Sequence, residues 1–280
     1  MKIAFFGSSL VSCYWNGAAT YYRGILRAMH ERGHTVTFYE SDAYERQQHR
    51  DIDDPPYATV VVYDHTRLAA VHACLDEAHD ADLVVKASGN GVHDDLLERE
   101  VASMAGGGRL VAFWDVDAPA TLDRLQADPA DAFHACIPVY DLILTYGGGG
   151  PVVEAYAARG ARRCVPIYNA LDPDTHHPVA PDPRFACDMA FLANRLPDRE
   201  VRVHEFFLKP AANLPDRRFI LGGNGWPGSP LPPNVRALGH VPTADHNALN
   251  CTPRMVLNVA RDSMASNGFS PATRVFEAAG

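Results

Sequence analysis

Short apolar runs rich in valine, isoleucine, leucine and phenylalanine alternate along this chain with longer amphipathic segments. A strand buried on both faces reads as an unbroken apolar run, and successive parallel strands must be joined by crossovers, usually helices. The alternation therefore predicts an α/β protein with parallel sheets. The apolar runs place strands at residues 2–6, 35–39, 59–63, 83–86, 110–114, 142–146 and 164–167, with helices through 18–32, 67–78, 94–104, 118–125 and 152–159. The first helix should stop at Arg32-Gly33-His34, where a basic last turn meets a glycine.

After Tyr168 the pattern gives way to Asp172-Pro173-Asp174-Thr175-His176-His177-Pro178 and then Pro181-Asp182-Pro183, a stretch that continues neither strand nor helix. This marks a domain boundary, with one domain over residues 1–170 and a second over 171–280. Strand-like runs resume at 189–192, 218–221, 235–238 and 255–259, with helices at 199–212 and 243–249. The second pattern reaches only Pro271–Gly280, which reads as the opening turns of a helix. The expectation is an incomplete second domain; the alternative is a naturally short one.

Composition narrows the functional classes. The chain has 280 residues, 47% of them hydrophobic, enough to bury one large or two ordinary cores. Its formal charge of −9, uninterrupted by any basic run, opposes binding to a nucleic-acid polymer but leaves room for a small anionic ligand held by a few placed groups. The 6 cysteines have neither disulfide-framework nor zinc-site spacing and read as reduced, mostly buried thiols. The start lacks the apolar run of a signal peptide and no stretch has the length of a membrane span, so a cytoplasmic protein is expected.

Three segments carry a family likeness: Phe5-Phe6-Gly7-Ser8-Ser9 with Asn16-Gly17-Ala18-Ala19-Thr20-Tyr21-Tyr22-Arg23 and Arg32-Gly33-His34-Thr35-Val36-Thr37-Phe38; Phe113-Trp114-Asp115-Val116-Asp117-Ala118-Pro119; and Ser270-Pro271-Ala272-Thr273-Arg274-Val275-Phe276-Glu277-Ala278-Ala279. Together with Leu214-Pro215-Asp216-Arg217-Arg218-Phe219 and the run Asn234 to Pro242, they resemble the CgeB-like (spore-maturation type) glycosyltransferases, a bacterial branch of the GT-B enzymes. The resemblance implies two Rossmann-like domains facing a cleft, with a nucleoside-diphosphate sugar held mainly by the C-terminal one and an acceptor by the N-terminal one. It also implies retention of anomeric configuration. Many GT-B relatives carry two glutamates eight positions apart in the third segment; here the earlier position is Phe269, which puts a carboxylate contact to the donor sugar in question.

Glycosyl transfer needs a stabilised leaving diphosphate and an activated acceptor hydroxyl. If Ser270 caps a helix with Pro271 in its first turn, the loop Asn267-Gly268-Phe269 presents backbone N–H groups to a diphosphate. Arg274 and Glu277, three apart on one helix face, could then meet a phosphate and a ribose; the alternative is an ordinary capped helix with an exposed ion pair. Arg195, in the loop after the first strand of the second domain, is the candidate to neutralise the diphosphate, with Arg199 and Arg202 behind it because each reads more readily as a solvated residue on the next helix. In the first domain, Ser8, Ser9, Asn16 and Gly17 lie in a polar loop that can face a ligand. Asp115 and Asp117 follow a strand, and one of them could orient or deprotonate the acceptor, although Asp117-Ala118-Pro119 also reads as a helix cap. Tyr146 and the four glycines after it permit either close approach to a ligand or a flexible turn.

The run Gly223-Asn224-Gly225-Trp226-Pro227-Gly228 formally matches a dinucleotide fingerprint but leads into prolines rather than a helix, so it does not indicate NAD; Gly223 stays a weak base-binding candidate through the resemblance. His65, His72 and His79 read as a surface stripe, and His176-His177 as linker residues with no partner nearby. No Asp-x-Asp site with supporting context is present, Asp115-Val116-Asp117 being the formal exception in the wrong domain, so the reaction is expected to need no metal and no tightly bound cofactor. The sequence thus predicts a glycosyltransferase, with a nucleotide-sugar epimerase of the same architecture or an inactive remnant as rivals.

Overall fold

The computed structural model describes residues 1–226, 228 and 230–280, which divide into two compact units. The first comprises Met1–Asn169 with Ser266–Ser270, the second Ala170–Ala265 with Pro271–Gly280.

The first unit runs β1 (Lys2–Phe6), α1 (Ala19–Glu31), β2 (Thr35–Ser41), β3 (Thr59–Tyr63), α2 (Leu68–Ala78), β4 (Leu83–Ala87), α3 (Asp94–Ser103), β5 (Leu110–Asp115), α4 (Ala118–Ala127), α5 (Phe133–Cys136), β6 (Leu142–Thr145), α6 (Gly149–Ala158) and β7 (Cys164–Pro166). Its strands form a seven-stranded sheet in the order β3-β2-β1-β4-β5-β6-β7, and every pairing is parallel. Apolar residues cover both faces. On one, Phe5, Tyr22, Phe38 and Trp114 pack together; on the other, Phe6 stacks on Tyr39 at 4.7 Å while Phe113, Phe133 and Tyr140 form a second cluster. Each such aromatic contributes about 1.5–3 kcal/mol by leaving water, which is why these runs become central strands rather than surface ones.

The second unit runs β8 (Met189–Leu192), α7 (Pro197–Val203), α8 (Lys209–Asn213), β9 (Phe219–Gly222), β10 (Val235–Gly239), α9 (Thr243–Cys251), β11 (Val256–Leu257), α10 (Asp262–Asn267, whose last residues count with the first unit) and α11 (Thr273–Ala279). Its four-stranded sheet has the order β10-β9-β8-β11, again parallel throughout. Numbered within the unit, this is the same 3-2-1-4 order that opens the first sheet, so both sheets reverse direction beside their first strand. Such a reversal opens a crevice at the carboxyl ends of the strands, where open α/β sheets bind ligands.

Most elements fall within a few residues of the sequence expectation. The helix expected at 199–212 contains a π-helical turn, His204–Leu208, between α7 and α8. Pro210 in α8 has no N–H to donate to the preceding turn, and a wider turn accommodates that loss. At the other end, α11 begins at Thr273 with Ala272 as its cap residue, not at Pro271 behind Ser270; the Ser270 hydroxyl donates instead to the Gly268 carbonyl at 3.1 Å. No helix among the described residues is long and apolar enough to cross a membrane. All six cysteines are free thiols, and burial pushes Cys74 up to about 11 and Cys164 up to about 12.

Candidate functional site

At the carboxyl end of β8 the loop Ala193 to Leu196 is braced against the turn that follows β9. The Arg195 amide donates to the Asn224 carbonyl at 2.8 Å, the Asn224 amide to Asn194 Oδ1 at 2.9 Å, and the Trp226 indole to the Ala193 carbonyl at 2.7 Å. Gly223 has a φ of +116°, and a β-carbon there would stand 2.1 Å from the Ala193 carbonyl oxygen. The glycine is thus required by the approach of one protein backbone to another. Pro227 and Ser229, in and after this glycine-rich run, lie outside the described residues.

Arginines gather on this edge. Arg195 pairs with Glu200, both side chains being partly exposed, and this hydrogen bond holds the Glu200 carboxyl below its usual range. Arg199 donates to the Asn194 carbonyl at 2.7 Å, so it braces the loop rather than standing in solvent. Arg261, after β11, meets Asp198 at 2.6 Å, and Arg202 meets Asp262 at 2.5 Å. These pairs bridge the ends of β8 and β11, the two sides of the sheet's reversal point.

Arg274 and Glu277 form an ion pair of 3.0 Å, with side-chain exposures of only 15% and 7%. An exposed pair is therefore not what the structure holds. The Glu277 carboxylate also faces His176 at 3.6 Å, and the His176 ring lies 6.2 Å from that of His246. His176 was expected to have no partner nearby; the tertiary fold supplies two. Asn267, Gly268 and Ser270 belong with the first unit: the Gly148 amide donates to the Phe269 carbonyl at 2.7 Å, and Asn267 Nδ2 donates to the Gly148 carbonyl at 3.4 Å. A β-carbon on Gly147 would stand 2.7 Å from the same Phe269 oxygen, so these glycines admit another stretch of chain instead of forming a loose turn.

In the first unit the polar loop after β1 is folded onto itself. Ser8 donates to Asn16 Oδ1 at 2.8 Å, Asn16 Nδ2 to the carbonyls of Ser9 and Ser12 at 2.7 and 3.0 Å, and Ser9 to Glu40 at 2.9 Å. Ser8, Ser9 and Asn16 are buried, and their side chains shape the loop rather than reaching outward; Gly17 alone of the four is exposed. Arg46 closes the loop by donating to the Ser8 carbonyl at 2.9 Å and the Asn90 carbonyl at 3.2 Å. Asn90 itself is wholly buried, with neither side-chain amide atom hydrogen-bonded among the described residues. Sequence reasoning missed Glu40, Arg46 and Asn90, although a glutamate near the end of the apolar strand β2 was a readable signal.

Asp115 differs from its expected role. It is fully enclosed and accepts hydrogen bonds from Ser88 and Thr121 at 2.9 Å each, from the Asp117 amide at 3.1 Å and from Tyr156 at 2.5 Å. Burial raises its proton affinity against the pull of these donors. A carboxylate so engaged joins β4, β5, α4 and α6 and has no face to offer an acceptor. Asp117 is half-buried at the start of α4; it occupies the cap position without a side-chain cap hydrogen bond.

A family model described as glycosyl transferase-like matches residues 199–280. Among solved structures, Anabaena HepE in complex with UDP and glucose is similar at 16% identity and TM-score 0.61, over 91% of this chain and 73% of that one. Sucrose-phosphate synthase from Thermosynechococcus elongatus is similar at 13% identity and TM-score 0.66, over 91% and 74%. An alpha-glucosyltransferase in complex with UDP-glucose and DNA containing an abasic site is similar at 12% identity and TM-score 0.59, over 92% and 73%. A search of curated proteins by sequence gave no match. The fold is that of the GT-B glycosyltransferases.

Proposed function

We propose that this protein is a glycosyltransferase of the CgeB-like type that moves a sugar from a nucleoside-diphosphate sugar to an acceptor hydroxyl, with the donor at the reversal point of the second sheet. The observation that carries the reading is Arg195, on a rigidly braced loop at the end of β8 and paired with a partly exposed carboxylate. A surface ion pair of this kind is screened by water and contributes little to stability. A diphosphate can displace Glu200 at little cost and gain a charge-assisted, bidentate contact in its place. Arg195 then offsets the charge on the leaving group without a metal, and the turn at Gly223 and Asn224 flanks the nucleotide. Similar proteins whose structures contain UDP or UDP-glucose support a uridine nucleotide as the first donor to try.

On the acceptor side we assign Asp117 rather than Asp115, because Asp117 is half-buried at the start of α4 while Asp115 is fully enclosed. Residues 1–170 supply the acceptor side and 171–280 the donor side. The six free thiols fit a reducing compartment such as the cytoplasm.

The test is thermal stabilisation by UDP, other nucleoside diphosphates and their sugars. A ligand at 100 times its Kd stabilises the folded state by about 2.7 kcal/mol, a shift of several degrees. One nucleotide should give that shift, and Arg195→Ala should remove most of it. Failure of every nucleotide to shift the transition overturns the reading.

A further inference from the structure

His176, His246 and Glu277 come from three separate stretches of the second unit and converge inside it. One ligand-capable atom from each lies within 4.8 Å of the others. His176 is 1% exposed with neither ring nitrogen hydrogen-bonded among the described residues, and Nδ1 of His246 has no hydrogen-bond partner among them either. A buried polar atom left unsatisfied costs about 1–3 kcal/mol, so unfilled nitrogens grouped with a carboxylate point to a bound species.

The surroundings orient each group for one kind of ligand. His246 lies on α9, and its Nε2 is 3.1 Å from the Val241 carbonyl, which requires the proton on Nε2 and leaves a lone pair on Nδ1. On α11, Arg274 holds Oε2 of Glu277 at 3.0 Å and leaves Oε1 toward His176. The turn carrying His176 is fixed by its amide on the Asp172 carbonyl at 2.7 Å, by Thr175 on Asp172 at 3.0 Å, and by Asn247 of α9 donating to the Thr175 carbonyl at 3.0 Å.

We propose that His176, His246 and Glu277 bind a divalent cation of the zinc class, which ties the Asp172–Thr175 turn to α9 and α11. Two imidazoles and one carboxylate suit Zn2+ or Co2+, whereas Mg2+ and Ca2+ prefer all-oxygen sets. The Val241 carbonyl on His246 and the Arg274 guanidinium on Glu277 are the outer partners that fix ligand orientation at such sites. A fourth position is left for water or an added ligand. This cation is separate from the donor reading, since its binding is measured without nucleotide or acceptor.

The experiment uses the full chain, stripped with a chelator and titrated with Co2+ followed by its visible absorption, then with Zn2+ followed by elemental analysis after gel filtration. One equivalent should bind, with the intense visible bands of four-coordinate Co2+, and should raise the Tm. His246→Ala and Glu277→Gln should lose that equivalent, while His72→Ala, at an exposed position on α2, should keep it. Where a variant fails to fold by circular dichroism, the Co2+ spectrum of the unaltered chain decides. No saturable equivalent, only six-coordinate weak bands, or an equivalent retained by both folded cluster variants would overturn the proposal.

Discussion

The backbone of Ala193 and that of Gly223 approach so closely that any β-carbon on residue 223 would lie 2.1 Å from the Ala193 carbonyl oxygen. That oxygen also accepts the Trp226 indole N–H, so the loop carrying Arg195 and the turn after β9 form one rigid piece. Gly223→Ala meets both this clash and a φ of +116°, which L side chains rarely adopt. It should lower stability by about 1–3 kcal/mol or more, read from the denaturation midpoint, and should weaken nucleotide-induced stabilisation together with it.

Asp115 is predicted to be a structural carboxylate. Asp115→Asn places an amide against donors from Ser88, Thr121 and Tyr156 and should cost about 1–3 kcal/mol in urea unfolding. Tyr156→Phe should destabilise too, and the pair should be non-additive in a double-mutant cycle. If Asp115→Asn instead left the unfolding midpoint unchanged and abolished sugar transfer, Asp115 would have to be given the chemical role.

Glu98 gives a pH dependence with a definite sign. Burial raises its carboxyl to about 7, with the charges of Lys86 and of Arg124, at 3.2 Å, offsetting part of the shift. The folded state therefore binds a proton that the unfolded chain has already released, and stability falls as pH rises from about 4.5 through about 7. The loss amounts to up to about 3 kcal/mol at 1.36 kcal/mol per pH unit. Glu98→Gln should flatten this slope in denaturation curves taken between pH 4 and pH 8; an unchanged slope would assign the effect elsewhere.

Gly147→Ala should disturb the seat of the segment Ser266–Ser270, because its β-carbon would lie 2.7 Å from the Phe269 oxygen. Backbone on both sides leaves little room to yield. Faster proteolytic cleavage within that segment, with a Tm loss equivalent to about 1–3 kcal/mol, is the expected result. A cleavage rate equal to that of the unaltered chain would show that the contact contributes nothing.

Periodicity alone determined the α/β class and the position of most strands, because a strand covered on both faces must be apolar along its whole length, as at Ile3–Phe6 or Val84–Val85. It also determined which loops follow strand ends, and so that Arg195 lies just past the end of β8. Sheet order is set by pairings between residues distant in sequence, such as Ile3 with Leu83, and only the tertiary structure fixes them. Side-chain direction was equally out of reach. Asp115 and Asp117 were both candidates from sequence, yet one is enclosed by four donors and the other is half-buried at the start of α4. His176 looked solitary because its partners, His246 and Glu277, arrive from α9 and α11. A sequence records which residues can bury a face or bind a charge; which of them meet is decided by long-range packing, and at His176 that packing assembled a buried polar cluster no local pattern contains.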